Sequence, residues 1–239
     1  IKPGELIEIS KGGGIKKEIV KDLSFKAHCL FEYIYFMKAE SLNELDNSKI
    51  LTKRHEFGKE LARQEKEKGY DILEQKRDNV IVIGSPNSGI ECGKGYAIEM
   101  NFKYVQAIVK SKNSNRTFIM ENYEKRQSAS LKKYIIINEH IKNKIVILCD
   151  DSIVRGITTK NIVKMLFDNG ALEVHIRIAA PQIKNPCYFG VDIPTRSELI
   201  SNKYRGRIDG INSNIGATSI LYLDIVRYEN IFKLSNFCT

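Results

Sequence analysis

Two apolar runs, Val80-Ile81-Val82-Ile83 ended by Gly84 and Ile145-Val146-Ile147-Leu148-Cys149, constrain this chain more than any other feature. Neither alternates polar with apolar residues, so each needs cover on both faces, as strands of a parallel sheet have. Helical patterns follow both: Gly89–Met100 behind the first, and Thr158–Asn169, stopped by Gly170, behind the second. Tyr104–Val109 and Val174–Ala179, the latter closed by Pro181, read as further strands. Short apolar runs alternating with amphipathic helices predict an α/β fold, a mainly parallel twisted sheet with helices on both faces. At 239 residues the chain suits one such domain.

The flanks read differently. Glu5–Ile9 and Ile15–Val20, separated by Gly12-Gly13-Gly14, predict a small hairpin at a domain edge. Cys29–Phe36, rich in aromatic residues, reads as a buried strand or strand entry. Residues 51–68 place Leu51, Phe57, Leu61 and Ala62 among many charges, a helix with a wet face. The opening Ile1-Lys2-Pro3-Gly4-Glu5 reads like the middle of a longer protein, and a preceding segment is expected.

Charge narrows the partner. Thirty-eight Lys and Arg against 29 Asp and Glu leave +9, an excess that suits nucleic acid, an acidic membrane surface or a small polyphosphate. Residues 110–133 hold seven basic and two acidic residues with little apolar periodicity, which reads either as a functional loop or as a solvated basic helix. Five cysteines without a C-x-x-C pair argue against a disulfide scaffold and for a reducing cytoplasm. No apolar run approaches the ~20 residues that cross a bilayer, and no basic-then-apolar secretory pattern opens the chain.

The chemistry concentrates in Ile145 to Thr159. A buried strand delivers Asp150 and Asp151 to its carboxyl end, where open α/β sheets bind ligands. Gly156 then makes a tight turn into a helix whose first N–H groups, with the hydroxyls of Ser152, Thr158 and Thr159, form an anion cradle. Carboxylates suited to hydroxyls or a cation, beside a cradle suited to phosphate, describe a phosphorylated sugar. Neither G-x-x-x-x-G-K-[ST] nor G-x-G-x-x-G is present at this turn.

Asp150-Asp151-Ser152-Ile153-Val154-Arg155-Gly156 resembles the 5-phosphoribosyl-1-pyrophosphate (PRPP) motif of type I phosphoribosyltransferases, in the form carried by the amidophosphoribosyltransferase family. Cys29–Phe36, Arg116-Thr117-Phe118-Ile119, Asn185–Thr195 and Ile215-Gly216-Ala217 resemble further blocks of that family, in the same order. The resemblance implies the type I phosphoribosyltransferase fold, with a small amino-terminal hairpin and a carboxyl-terminal extension, over residues 1–239. Residues 1–25 would be the junction with a glutaminase domain and 110–133 a mobile basic loop. It also implies transfer of ammonia, drawn from glutamine, to C1 of PRPP with release of pyrophosphate.

By that resemblance Asp150 and Asp151 face the ribose hydroxyls and Mg²⁺, with Ser88 beside the metal. Ser152, Ile153, Val154, Arg155, Gly156, Ile157, Thr158 and Thr159 enclose the 5-phosphate. Lys110, Arg116, Arg126 and Lys133 serve as catalytic cations of the closing loop. Cys29, Cys187 and Cys238 resemble three of the four ligands of an iron–sulfur cluster, a [4Fe-4S] centre incomplete within this chain; Cys92 and Cys149 match nothing and read as packing residues. Purine nucleotides are expected as inhibitors and a homo-oligomer as the assembly, with neither nucleic acid nor membrane as partner. The sequence departs from the family at Asn87, Asn113, Asn115 and Ile157. A non-catalytic PRPP-binding regulator and a base-salvage phosphoribosyltransferase are the competing readings.

Overall fold

Register pairing carries the two apolar runs into the middle of one sheet. The computed structural model describes residues 2, 4–20, 27–69, 76–111, 134–193, 195–233 and 236–238. In chain order the elements are β1 (Glu5–Ile9), β2 (Ile15–Ile19), β3 (His28–Cys29), α1 (Ile50–Glu67), β4 (Val80–Gly84), α2 (Ile90–Met100), β5 (Lys103–Tyr104) and β6 (Ile108–Lys110). There follow β7 (Tyr134–Ile136), β8 (Ile145–Asp150), α3 (Ile157–Asp168), β9 (Glu173–Ile178), α4 (Ile208–Ile215), β10 (Ser219–Tyr222), α5 (Ile225–Phe232) and β11 (Phe237–Cys238). The main sheet is parallel with order β10-β9-β8-β4-β5, and every residue of β4 and β8 is buried.

This order fixes where a ligand can sit. From β4 the chain moves outward to β5, and from β8 it moves the other way to β9 and β10. Right-handed crossovers in opposite directions place α2 and α3 on opposite faces and open a crevice between the carboxyl ends of β4 and β8. On the α2 face the helices pack backbone to backbone: a Cβ at Gly58 of α1 would lie 1.9 Å from the Cys92 carbonyl, and one at Gly95 of α2 would lie 1.9 Å from the His55 carbonyl.

Three readings change. The expected strand over Cys29–Phe36 is reduced to His28–Cys29; Glu32–Phe36 forms a π-helical turn. Tyr33 and Ile34 are adjacent and both buried, and the turn lets the Tyr33 ring meet Phe232 at 4.7 Å and Phe237 at 6.4 Å. The strand expected over Tyr104–Val109 is broken. Lys103–Tyr104 joins the main sheet, whereas Ile108–Lys110 pairs antiparallel with Tyr134–Ile136 as a separate ribbon. The wet face of α1 is partly dry: Lys53, Arg54, Glu60, Gln64 and Glu65 are buried. Gln64 accounts for its own burial by donating to the Tyr222 carbonyl and accepting from the Asp224 N–H, tying α1 to the end of β10.

Candidate active site

The crevice predicted by strand order holds a cleft of about 970 Å³. Its floor is the carboxyl end of β8. Asp150 and Asp151 are only 6% and 8% exposed, and neither forms a salt bridge among the described residues. The Asp151 N–H donates to Asp150 Oδ1 at 2.9 Å. Ser88 Oγ donates to Asp151 Oδ1 at 2.5 Å and Ser152 Oγ to Asp151 Oδ2 at 2.7 Å, so hydroxyls from both turns meet one carboxylate. Burial, and then the neighbouring charge of Asp151, push the Asp150 carboxyl well above the ordinary range; a hydrogen bond from Ser85 works the other way.

Two glycines make these turns possible. Gly89 begins the turn into α2 so close to β8 that an added Cβ would lie 2.3 Å from the Cys149 carbonyl oxygen and 2.8 Å from the Ser85 nitrogen. Gly156 caps α3 with a positive φ of 80°, and its Cβ would meet Ile200 Cδ1 at 2.5 Å. Among the described residues no side chain caps α3, and Ile157, Thr158 and Thr159, whose amides helix geometry leaves without intrahelical partners, line the cleft. These are the helix-start amides that the sequence placed after Gly156.

The sequence-predicted residues meet here with differences. Asp150, Asp151, Ser152, Val154, Arg155, Gly156, Ile157, Thr158 and Thr159 line the cleft, as do Ser88 and Lys110. Ile153 turns away into the core at 2% exposure, and the Arg155 guanidinium is engaged by Glu198 at 2.5 Å. Arg116, Arg126 and Lys133 lie outside the described residues, as do Asn113 and Asn115. The sequence reading missed Arg54, Ser85, Tyr35 and Tyr134, all on the cleft wall. Burial first and the two Asp carboxylates second push both tyrosine hydroxyls above their ordinary value. Ser85 had a local signal, since it directly follows the β4 run; the other three come from distant segments.

Cys29, Cys187 and Cys238 line a second cavity of about 800 Å³, and β11 lies parallel to β3 with Cys238 opposite Cys29. Among the described residues, no group of three or more His, Cys, Asp or Glu is arranged to hold a metal ion. A four-thiolate cluster does not fit these three thiols as they stand. Cys92 and Cys149 are buried, as expected of packing residues. Among the described residues no helix is long and apolar enough to cross a membrane.

No family model matches the chain. It is 37% identical over 227 residues to the amidophosphoribosyltransferase of Mus musculus, which covers 94% of this chain and 41% of that protein. It is 40% identical over 223 residues to the amidophosphoribosyltransferase of Pyrococcus horikoshii, covering 93% and 46%. Glutamine PRPP amidotransferase from B. subtilis, solved with ADP and GMP, superposes with a TM-score of 0.76 at 31% identity over 99% of this chain and 50% of that one. The chain thus spans half or less of the length of these relatives. In sequence and in fold, it matches the phosphoribosyltransferase part of the amidophosphoribosyltransferases.

Proposed function

We propose that the chain transfers ammonia to C1 of PRPP with release of pyrophosphate, giving 5-phosphoribosylamine, the entry reaction of purine synthesis. One observation carries the reading: two buried carboxylates without an ion-pair partner among the described residues sit beside an open amide cradle in one cleft. The cradle at Ile157–Thr159 receives the 5-phosphate, and Asp150 and Asp151 accept from the ribose hydroxyls. Ammonia then bonds to C1 as the C1–O bond breaks and its electron pair leaves with pyrophosphate; the extra proton passes to solvent. Because C1 takes on oxocarbenium character by analogy with glycoside cleavage, positioning and electrostatics suffice and no side-chain nucleophile is required.

Mg²⁺ suits the oxygen donors of Asp150, Asp151 and Ser88, since this ion is commonly held by one or two carboxylates together with substrate phosphates. It supplies positive charge to a departing pyrophosphate. Lys110, on the cleft wall, adds to that charge, as do Arg116, Arg126 and Lys133 in this proposal. Glutamine is the proposed ammonia source in the longer protein, through a domain joined at residues 1–25. The β1–β2 register supports such a junction by placing Ile7, Ile9, Ile15 and Ile19 on one face, with Ile9 71% exposed. Inhibition by purine nucleotides, homo-oligomer assembly and cytoplasmic location complete the proposal.

The test is pyrophosphate release from PRPP and Mg²⁺ with ammonium, set against adenine, guanine, hypoxanthine or orotate. Ammonium-dependent release is expected. Release only with a base would assign a salvage enzyme, and tight PRPP binding without turnover a regulator.

A further inference from the structure

The proposed chemistry leaves one wall of the cleft without a task. Phe31, Tyr35 and Phe36 line it as a cluster of rings, with centroids 6.3 Å apart for Phe31–Tyr35, 6.0 Å for Phe31–Phe36 and 5.0 Å for Tyr35–Phe36. Tyr35 and Phe36 are 42% and 46% exposed. Phe31 immediately precedes the π-helical turn that carries Tyr35 and Phe36, a single turn whose last carbonyls need outside support.

Arg54 of α1 supplies it. Its Nε donates to the Tyr33 carbonyl at 3.0 Å and its Nη2 to the Met37 carbonyl at 2.8 Å, bracketing the turn from within. The side chain is buried and has no carboxylate within salt-bridge distance among the described residues, yet it borders the cleft with Asp151. Burial lowers its affinity for the proton and the charge of Asp151 raises it. A buried cation outside any ion pair is costly unless its donors are engaged; here two donors fix the wall.

We propose that Arg54 is a positioning residue, a clamp on the Tyr33 and Met37 carbonyls that holds the Phe31–Tyr35–Phe36 wall in the geometry that receives the phosphorylated sugar. The inference rests on PRPP being the ligand of this cleft. A planar fork matters because Nε and Nη2 are separate nitrogens held in fixed geometry toward the two carbonyls, whereas an ammonium presents all its donors from one nitrogen on a flexible stem.

The experiment is a double-mutant cycle on PRPP binding with Mg²⁺, read by calorimetry. If Arg54 acts through the wall, Arg54→Met weakens binding about tenfold, Phe36→Ala about threefold, and the pair no more than Arg54→Met alone. Arg54→Lys, which keeps the charge and guards against a variant that fails to fold, is expected to bind as weakly as Arg54→Met. Effects that multiply, restoration of affinity by Lys, or undiminished binding by Arg54→Met would each overturn the clamp. Wild-type chain that binds PRPP without ammonium-dependent turnover overturns the transferase reading and leaves the cycle to judge Arg54; wild-type chain that does not bind PRPP overturns both.

Discussion

Glu65 and Asp150 are both buried carboxylates beside the central strands, and their surroundings are opposite. Glu65 receives Nε of Arg177 at 2.5 Å, a second bond from Arg177 Nη2, and the Tyr96 hydroxyl at 2.5 Å. Arg177 spends its other donors on the Ile176 carbonyl at 2.9 Å and the Ser219 hydroxyl at 3.1 Å. Four elements are thereby tied: α1, α2, β9 and β10 meet at one polar knot. Asp150 instead faces a second carboxylate, and the donors around the pair are hydroxyls and one amide. The buried carboxylate of the first site is completed by the protein's own cation; the pair in the second has no such cation within salt-bridge distance among the described residues, and in the proposed reaction a ligand completes it.

The sharpest way to break that contrast is to unpair the completed site. Arg177→Met leaves Glu65 buried without its counter-charge, with only the Tyr96 hydroxyl of the named donors remaining, and should lower unfolding free energy by about 3–5 kcal/mol in denaturant titration. Replacing both partners, Glu65→Leu with Arg177→Met, should recover most of the loss, because apolar groups of similar volume avoid the desolvation that the pair must offset. A double variant as unstable as the single one would mean that the knot does more than neutralise charge.

The incomplete site should respond in activity instead. Asp151→Asn removes a carboxylate that accepts from Ser88 and Ser152 and, in the proposed reaction, faces ribose and Mg²⁺. Turnover with ammonium should fall roughly 100-fold, the scale seen when one preorganised electrostatic group is lost. Melting without ligand should not fall, because the like charge beside Asp150 is removed as well. Unchanged kinetics would remove Asp151 from the site.

Asp150→Asn should make the ligand-free protein more stable. The folded state holds the Asp150 carboxyl above its ordinary range, so its proton is retained after the unfolded chain has ionised. Its stabilising contribution is therefore complete below the ordinary carboxylate value near ~4 and declines as pH rises from there to the raised folded value. The amide has no such decline. At neutral pH the variant should gain about 1–2 kcal/mol, within the range of substitutions that relieve a functional site, while PRPP binding weakens. A melting difference between wild type and variant that does not grow with pH would contradict this assignment.

What the sequence disclosed follows the same division. The β4 and β8 runs, the paired acids, Gly156 and the hydroxylated start of α3 are local: residues adjacent in the chain are adjacent in the cleft. Arg54 was hidden because its neighbours Lys53, Glu56 and Lys59 make α1 read as a solvated face, and only the tertiary position of the π-helical turn gives it partners. The same turn was misread as a strand, since aromatic content favours both until the side of each ring is known. β10 went unnoticed because Ser219–Tyr222 is short, and its partner in β9 lies more than forty residues away. The Glu65–Arg177 knot joins residues 112 positions apart, and no periodicity reports such a pair.

The smallest expected effect tests how far the two turns act together. Ser88 comes from the β4–α2 turn, whereas Asp151 ends β8, and their hydrogen bond is one of two hydroxyl contacts to the same carboxylate. Ser88→Ala leaves Ser152 in place, so Asp151 keeps a donor and the fold keeps its backbone contacts at Gly89. The expected loss is that of one hydrogen bond, about 0.5–1.5 kcal/mol, seen as a several-fold rise in KM for PRPP with melting unaltered. A loss as large as that of Asp151→Asn would make Ser88 an essential ligand contact in its own right, whereas no change would confine the hydroxyl to local order. The intermediate value is what separates a site whose carboxylates are held ready by hydroxyls from one, like Glu65, that an arginine has already closed.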